Sequence, residues 1–170
     1  MYKRQEQDYD ELNFAVKAFQ DTTMRIRYSN IPVVIAPHNM ALGGGCEISM
    51  HADKVVAHAE LYMGLVEFGV GLIPGGGGTK EFAKRLSEEL HSGDIKINRL
   101  RERFLTVGQA QVSTSAYEAF DLGYLREGID EVVVSREHLL TRAKEAAVAM
   151  ADEGYVAPKR EKDITVVGQE

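Results

Sequence analysis

The chain has 170 residues, 44% of them hydrophobic and 27% charged, with a formal net charge of −6. That length suits one domain with a core, and the negative balance excludes a general attraction to nucleic acid or anionic membrane. A single cysteine excludes an internal disulfide framework, no apolar run reaches membrane-spanning length, and MYKRQEQDYDEL lacks the apolar core of a secretory signal, so a cytoplasmic protein is expected.

Residues 7–28 read as a helix, with Tyr9, Leu12, Val16, Phe19 and Ile26 near one face. IPVVIAP (31–37), rich in β-branched residues and bounded by prolines, reads as a buried strand. Beyond a run of glycines, CEISMHA (46–52) reads as a short helix, DKVVAHA (53–59) as a second strand and LYMG (61–64) as a third. VEFGVGLIPGGGG (66–78) is a loop of glycine and proline. TKEFAKRLSEEL (79–90) is helical, its apolar face formed by Phe82, Ala83, Leu86 and Leu90. HSG breaks the chain, and Asp94 can cap a helix in which Ile97, Leu100, Phe104 and Val107 repeat. Ser115 and Glu118 form a capping-box pattern opening SAYEAFDLG, with Gly123 as its stop. IDEVVV (129–134) is a strand, and Ser135 caps a last helix carrying Leu139, Leu140, Ala143, Ala146, Ala147 and Met150. The tail from Tyr155 to Glu170 is polar. Helix and strand alternate around two glycine-rich turns in the front half, and the back half is mainly helical. This is an α/β layout whose turns carry the chemistry.

The first of those turns is LGGGCEIS (42–49). Amides at a helix start are unpaired and partly positive, and glycines let an anion come close to them. The Gly44 N–H is therefore a candidate donor to an oxygen that gains charge during a reaction. A tight packing turn is the competing account. Glu47 and Glu67 are lone acids in apolar stretches. If they meet, one is pushed to stay protonated, and the pair can manage one proton and one water. Spacing does not decide whether they meet, and each taken singly could be a cap or an ion-pair partner. PGGGGTK (74–80) carries Thr79 before Lys80, the reverse of the Walker order. Cys46 reads as a small buried thiol. His38, His51, His58, His91 and His138 have no metal-ligand spacing, so no metal is expected.

IPVVIAPHNMALGGGCEISMHADKVVAHAELYMGLVEFGVGLIPGGGGTKEFAKRL resembles the central motif block of the enoyl-CoA hydratase/isomerase (crotonase) family. The match is ordered: a Pro-led strand, A-L-G-G-G-C-E, an Asp opening the next strand, G-x-x-E, then G-x-I-P-G-x-G-G-T. LTVGQAQVSTSAYEAFDLGYL is similar to the family's later helical segment, and the resemblance covers nearly residues 28–152. The wording of residues 66–78 and the charged 87–105 connection resemble the hydratase portion of multifunctional fatty-acid oxidation proteins, where it is fused to a 3-hydroxyacyl-CoA dehydrogenase.

The resemblance implies a crotonase-like ββα-spiral fragment over residues 1–152, without the family's N-terminal β-rich part. Residues 94–152 would be the helical self-association region and 153–170 a tail or linker. It implies syn hydration of a trans-2-enoyl-CoA. Gly44 would donate to the thioester oxygen, Gly43 and Gly75 would lie against substrate, and Glu47 and Glu67 would hold a water. Glu67 is assigned as acid and Glu47 as base, with the exchange of roles left open. No cofactor is implied for this segment, and NAD only for a fused dehydrogenase. A homo-oligomer is expected, and so is an isolated segment with little activity, because the family's second oxyanion donor lies in the absent part. An isomerase or hydrolase on the same scaffold, or a non-catalytic assembly module, are the rival expectations.

Overall fold

Asp8 opens the first element: its side chain accepts the Glu11 N–H at 3.1 Å and caps helix α1 (Tyr9–Arg27). The structure, a computed structural model, describes residues 8–90, 96–160 and 164. Acids in the first turn of α1 and arginines in the last complement its dipole. The apolar face expected of it is not buried: Tyr9 and Val16 are exposed, and Thr23 and Arg27 are its buried residues. The reason is that α1 meets the loop before helix α3 (Gly78–Glu89) through its later turns. There Gln20 Nε2 donates to the Gly75 carbonyl at 2.7 Å and the Thr23 hydroxyl to the Gly76 carbonyl at 2.8 Å.

Among the described residues, two small sheets carry the rest. Strands β1 (Val34–Ile35), β3 (Lys54–His58) and β6 (Glu131–Val133) form a parallel sheet in the order β1-β3-β6. The central strand β3 alternates its side chains between two clusters. Val55 and Ala57 point into the main core, and Val56 packs on Leu139 and Ala143 of helix α6 (Arg136–Asp152). Strand β1, at the sheet edge, is half-buried rather than buried as its sequence suggests. Strands β2 (Met40–Leu42) and β4 (Tyr62–Gly64) pair in parallel, and β5 (Val112–Ser113) joins β4 antiparallel. Helix α2 (Gly44–Met50) sends Cys46 and Met50 into the main core beside Leu61, Met63, Leu65, Phe82 and Tyr124.

The remaining helices are α3 (Gly78–Glu89), α4 (Lys96–Gly108) and α5 (Ala116–Asp121). Asp94 lies outside the described residues. The apolar repeat of α4 is only partly used, with Val107 buried but Ile97 and Phe104 exposed. Ser115 caps α5 by accepting the Glu118 N–H at 3.1 Å. The box does not close reciprocally, because the Glu118 carboxylate accepts the N–H and hydroxyl of Thr114 instead. Ser135 stands at the N-cap of α6 without a side-chain hydrogen bond, and Leu140 faces outward, 75% exposed. Among the described residues no helix is long and apolar enough to cross a membrane.

Candidate active site

Strand β2 ends at a glycine because the chain must reverse there. Gly43 has φ +54°, which side chains rarely adopt, and its N–H donates to the Gly64 carbonyl at 2.8 Å, fixing the turn to the end of β4. A Cβ at this position would sit 3.2 Å from Glu67 Oε1, so the Glu67 carboxyl lies against the turn. Gly44 follows in the first turn of α2, where an N–H has no partner within the helix. The ring of Phe19 from α1 covers it, 3.1 Å from where a Gly44 Cβ would be.

Glu47 is in the same short helix and only 2% exposed. Its Oε1 accepts two backbone hydrogen bonds, from Gly76 N–H at 2.8 Å and Gly78 N–H at 3.0 Å. Both donors belong to the chain entering α3, so one helix N-terminus holds the acid carried by another. The approach requires Gly76: a Cβ there would overlap both the Phe19 ring and the Glu47 carboxylate.

Glu67 has a different environment. It opens a short 3₁₀ turn (Glu67–Val70), and its Oε2 is buried with no hydrogen-bond partner. Burial first, and the Glu47 charge after it, push the carboxyl above its ordinary value, against a backbone hydrogen bond that works the other way. The two acids therefore stand in unlike surroundings near the start of α2: Glu47 takes two donors, and Glu67, within reach of the Glu47 charge, has an unpaired oxygen.

Gly43, Gly44, Glu47 and Glu67 gather at this point. Gly75 lies one residue before the amide that reaches Glu47, exposed, its carbonyl held by Gln20. Cys46 is fully buried, and burial pushes its thiol well up, so it offers no nucleophile. Lys80 is turned toward Glu81 and His51, an ion pair and hydrogen bond in place of a phosphate contact. Among the described residues no group of three or more His, Cys, Asp or Glu side chains could hold a metal. Sequence reasoning passed over the roles of Gly76, Gly78 and Phe19. It also passed over His51, whose position one helical turn after Glu47 was the available signal.

The family model for enoyl-CoA hydratase/isomerase matches residues 1–96 of the chain. A protein of Bacillus subtilis named "Probable 3-hydroxyacyl-CoA dehydrogenase" is 44% identical over 158 residues, which cover 93% of this chain and 20% of that protein. A short-chain-enoyl-CoA hydratase of Clostridium acetobutylicum is 34% identical over 138 residues, 81% of this chain and 46% of that one. Among solved structures, an enoyl-CoA hydratase from Bacillus anthracis aligns with a TM-score of 0.65 at 29% identity, over 84% of this chain and 48% of that chain. The chain thus spans about a fifth of the first of these relatives and about half of the other two.

Proposed function

Because the chain belongs to the enoyl-CoA hydratase/isomerase (crotonase) family and has its α/β fold, we propose that the polypeptide carrying it adds water across the double bond of a trans-2-enoyl-CoA. One observation carries the reading. Two carboxyls of opposite character flank one helix start: Glu47 with two amide donors on a single oxygen, and Glu67 raised by burial with an oxygen unpartnered.

In this mechanism the thioester oxygen lies at the Gly44 N–H, between the turn at Gly43 and the loop at Gly75. Glu47 takes a proton from a water held between the acids, and the water oxygen bonds to C3. The electrons of the double bond move toward the thioester, where the developing negative charge meets the Gly44 amide. Glu67 then gives its proton to C2. Water is added, no electrons are exchanged, and the proton on Glu47 returns to Glu67 before the next turnover. Two acids of this kind favour hydration over isomerisation, which needs only one to carry a proton between carbons.

We extend the proposal to the whole protein. This segment is a hydratase module joined to a 3-hydroxyacyl-CoA dehydrogenase portion, which would oxidise the hydration product with NAD. The likeness to the B. subtilis protein supports that arrangement. A second oxyanion donor comes from outside residues 8–160. The segment alone then turns over slowly, since one missing donor costs about 10²–10³ in rate. Exposed apolar residues such as Phe14, Phe104 and Val148 are covered by the rest of the polypeptide or by another copy.

The test is hydration of a trans-2-enoyl-CoA by the full polypeptide and by its Glu47→Gln and Glu67→Gln variants. Both variants should lose about 10²–10⁴ in kcat, the scale of removing a general acid or base. Retention of wild-type turnover by either one removes it from the reaction.

A further inference from the structure

Glu47 is tied to α3 at two points, and the second tie runs through a residue to which no step above gives a role. His51 is fully buried, with Nδ1 2.6 Å from the Glu47 carbonyl oxygen. A carbonyl only accepts, so Nδ1 carries the hydrogen and Nε2 is left as an acceptor. Nε2 lies 3.0 Å from Lys80 Nζ, and that ammonium also bonds the buried carboxylate of Glu81. Gly77 closes the packing: its φ is +107°, and a Cβ there would stand 2.9 Å from His51 Nε2.

Lys80 and Glu81 belong to the first turn of α3, directly after the amides of Gly76 and Gly78. A closed ring of bonds results. It runs from the Glu47 carboxylate to those amides, along the start of α3 to Lys80, through the imidazole, and back to the Glu47 carbonyl. A side chain that only filled space at this position would need neither ring nitrogen.

We propose that His51 is a positioning residue for the hydration reaction, holding the start of α3 against α2 so that the Gly76 and Gly78 amides stay on the Glu47 carboxylate. This rests on the role given to Glu47 above. The charged groups facing the imidazole are Lys80 and Glu81 from α3 and Arg27 from α1, while its own helix presents the Glu47 carbonyl. Burial first, then the Lys80 and Arg27 charges, hold the ring below its ordinary value, against the Glu47 carbonyl and Glu81. Protonation would set an N–H against the Lys80 ammonium and open the clamp.

The experiment compares His51→Met, His51→Gln and Lys80→Met in the full polypeptide, with trans-2-butenoyl-CoA as substrate and Glu47→Gln as control. His51→Met should lower kcat about tenfold to a hundredfold with KM nearly unchanged, the signature of a misplaced catalytic group. His51→Gln, whose amide can donate to the carbonyl and accept from Lys80, should recover most of the loss. Lys80→Met breaks the same ring at its other side-chain link, so it should lower kcat to a similar extent with KM nearly unchanged, and it decides the matter even where His51→Met fails to fold. Wild-type kcat in His51→Met or in Lys80→Met, or a loss that Gln does not restore, would each overturn the positioning role. If these appear beside an inactive Glu47→Gln, that role alone falls. An active Glu47→Gln overturns the hydratase reading and this inference with it.

Discussion

Glu47 and Gly76 are joined by a 2.8 Å hydrogen bond from the glycine amide to the carboxylate, at a position where no side chain fits. Gly76→Ala should therefore act on the reaction and on the fold together. The methyl group pushes the carboxylate off its two amides, and hydration should fall on the order of a hundredfold, with a lower melting temperature. Adding Phe19→Ala clears one of the two overlaps but not the one with Glu47. Kinetics of the double variant should therefore remain impaired, and full recovery would show that Phe19 is the whole obstacle.

Glu67 is held in a place that suits a reaction better than it suits stability. Its buried oxygen has no partner, and burial raises it above the ordinary value. A carboxyl raised in this way favours the fold while protonated and loses that contribution as pH rises through its folded value. Glu67→Gln, which is never charged, should thus melt at a higher temperature than the wild type at pH 8, with the difference vanishing near pH 4. Thermal melts at the two pH values check this, and equal melting temperatures at pH 8 would count against the strained carboxyl.

Arg27 and Glu81 form a buried ion pair at 3.5 Å, too long for a hydrogen bond, and Arg27 Nε has no partner. Glu81→Gln leaves that guanidinium buried beside an uncharged amide. The expected cost is about 3–5 kcal/mol by urea denaturation. Burial works to raise Glu81, but Arg27, Lys80 and His51 together hold it below its usual 4.5. Its contribution is then complete above the unfolded value and is lost as pH falls through the lower folded one. Wild-type stability should decline below about pH 4.5 more steeply than that of Glu81→Gln.

Leu139 and Leu140 are neighbours on α6 with opposite surroundings, one packed on Val56 and the other facing outward. Leu139→Ala should destabilise the chain by about 2–5 kcal/mol. Leu140→Ala should change it by less than about 0.5 kcal/mol. Urea unfolding of the two variants separates them, and similar losses would mean that Leu140 is buried against something else.

The elements with strong periodicity or clear punctuation were legible in the sequence. The parallel strand at 54–58, the helix after the four glycines and the Ser115 cap all lie close to where pattern and turn chemistry set them. What failed was inference from helical spacing to burial. Val16, Ile97, Phe104 and Leu140 keep the apolar period yet stay exposed, because spacing marks a face without saying what it packs on. Strands β2 and β5, three and two residues long, are fixed by pairing with β4, which no local pattern records. At the site, the two glutamates stood out as acids in apolar runs. Their unlike states did not, because these depend on the Gly76 and Gly78 amides arriving from 29 and 31 residues away. Glu81, Lys84 and Arg85 lie off the apolar face read for their helix and are nonetheless buried.

The most direct measurement is a carboxyl NMR titration of Glu67 in the wild type and in Glu47→Gln. Glu67 should titrate above its ordinary value near 4.5 and move downward, though not fully back, when the Glu47 charge is removed, since burial remains the larger cause. A Glu67 that titrates as an ordinary exposed glutamate, and is indifferent to residue 47, would contradict this.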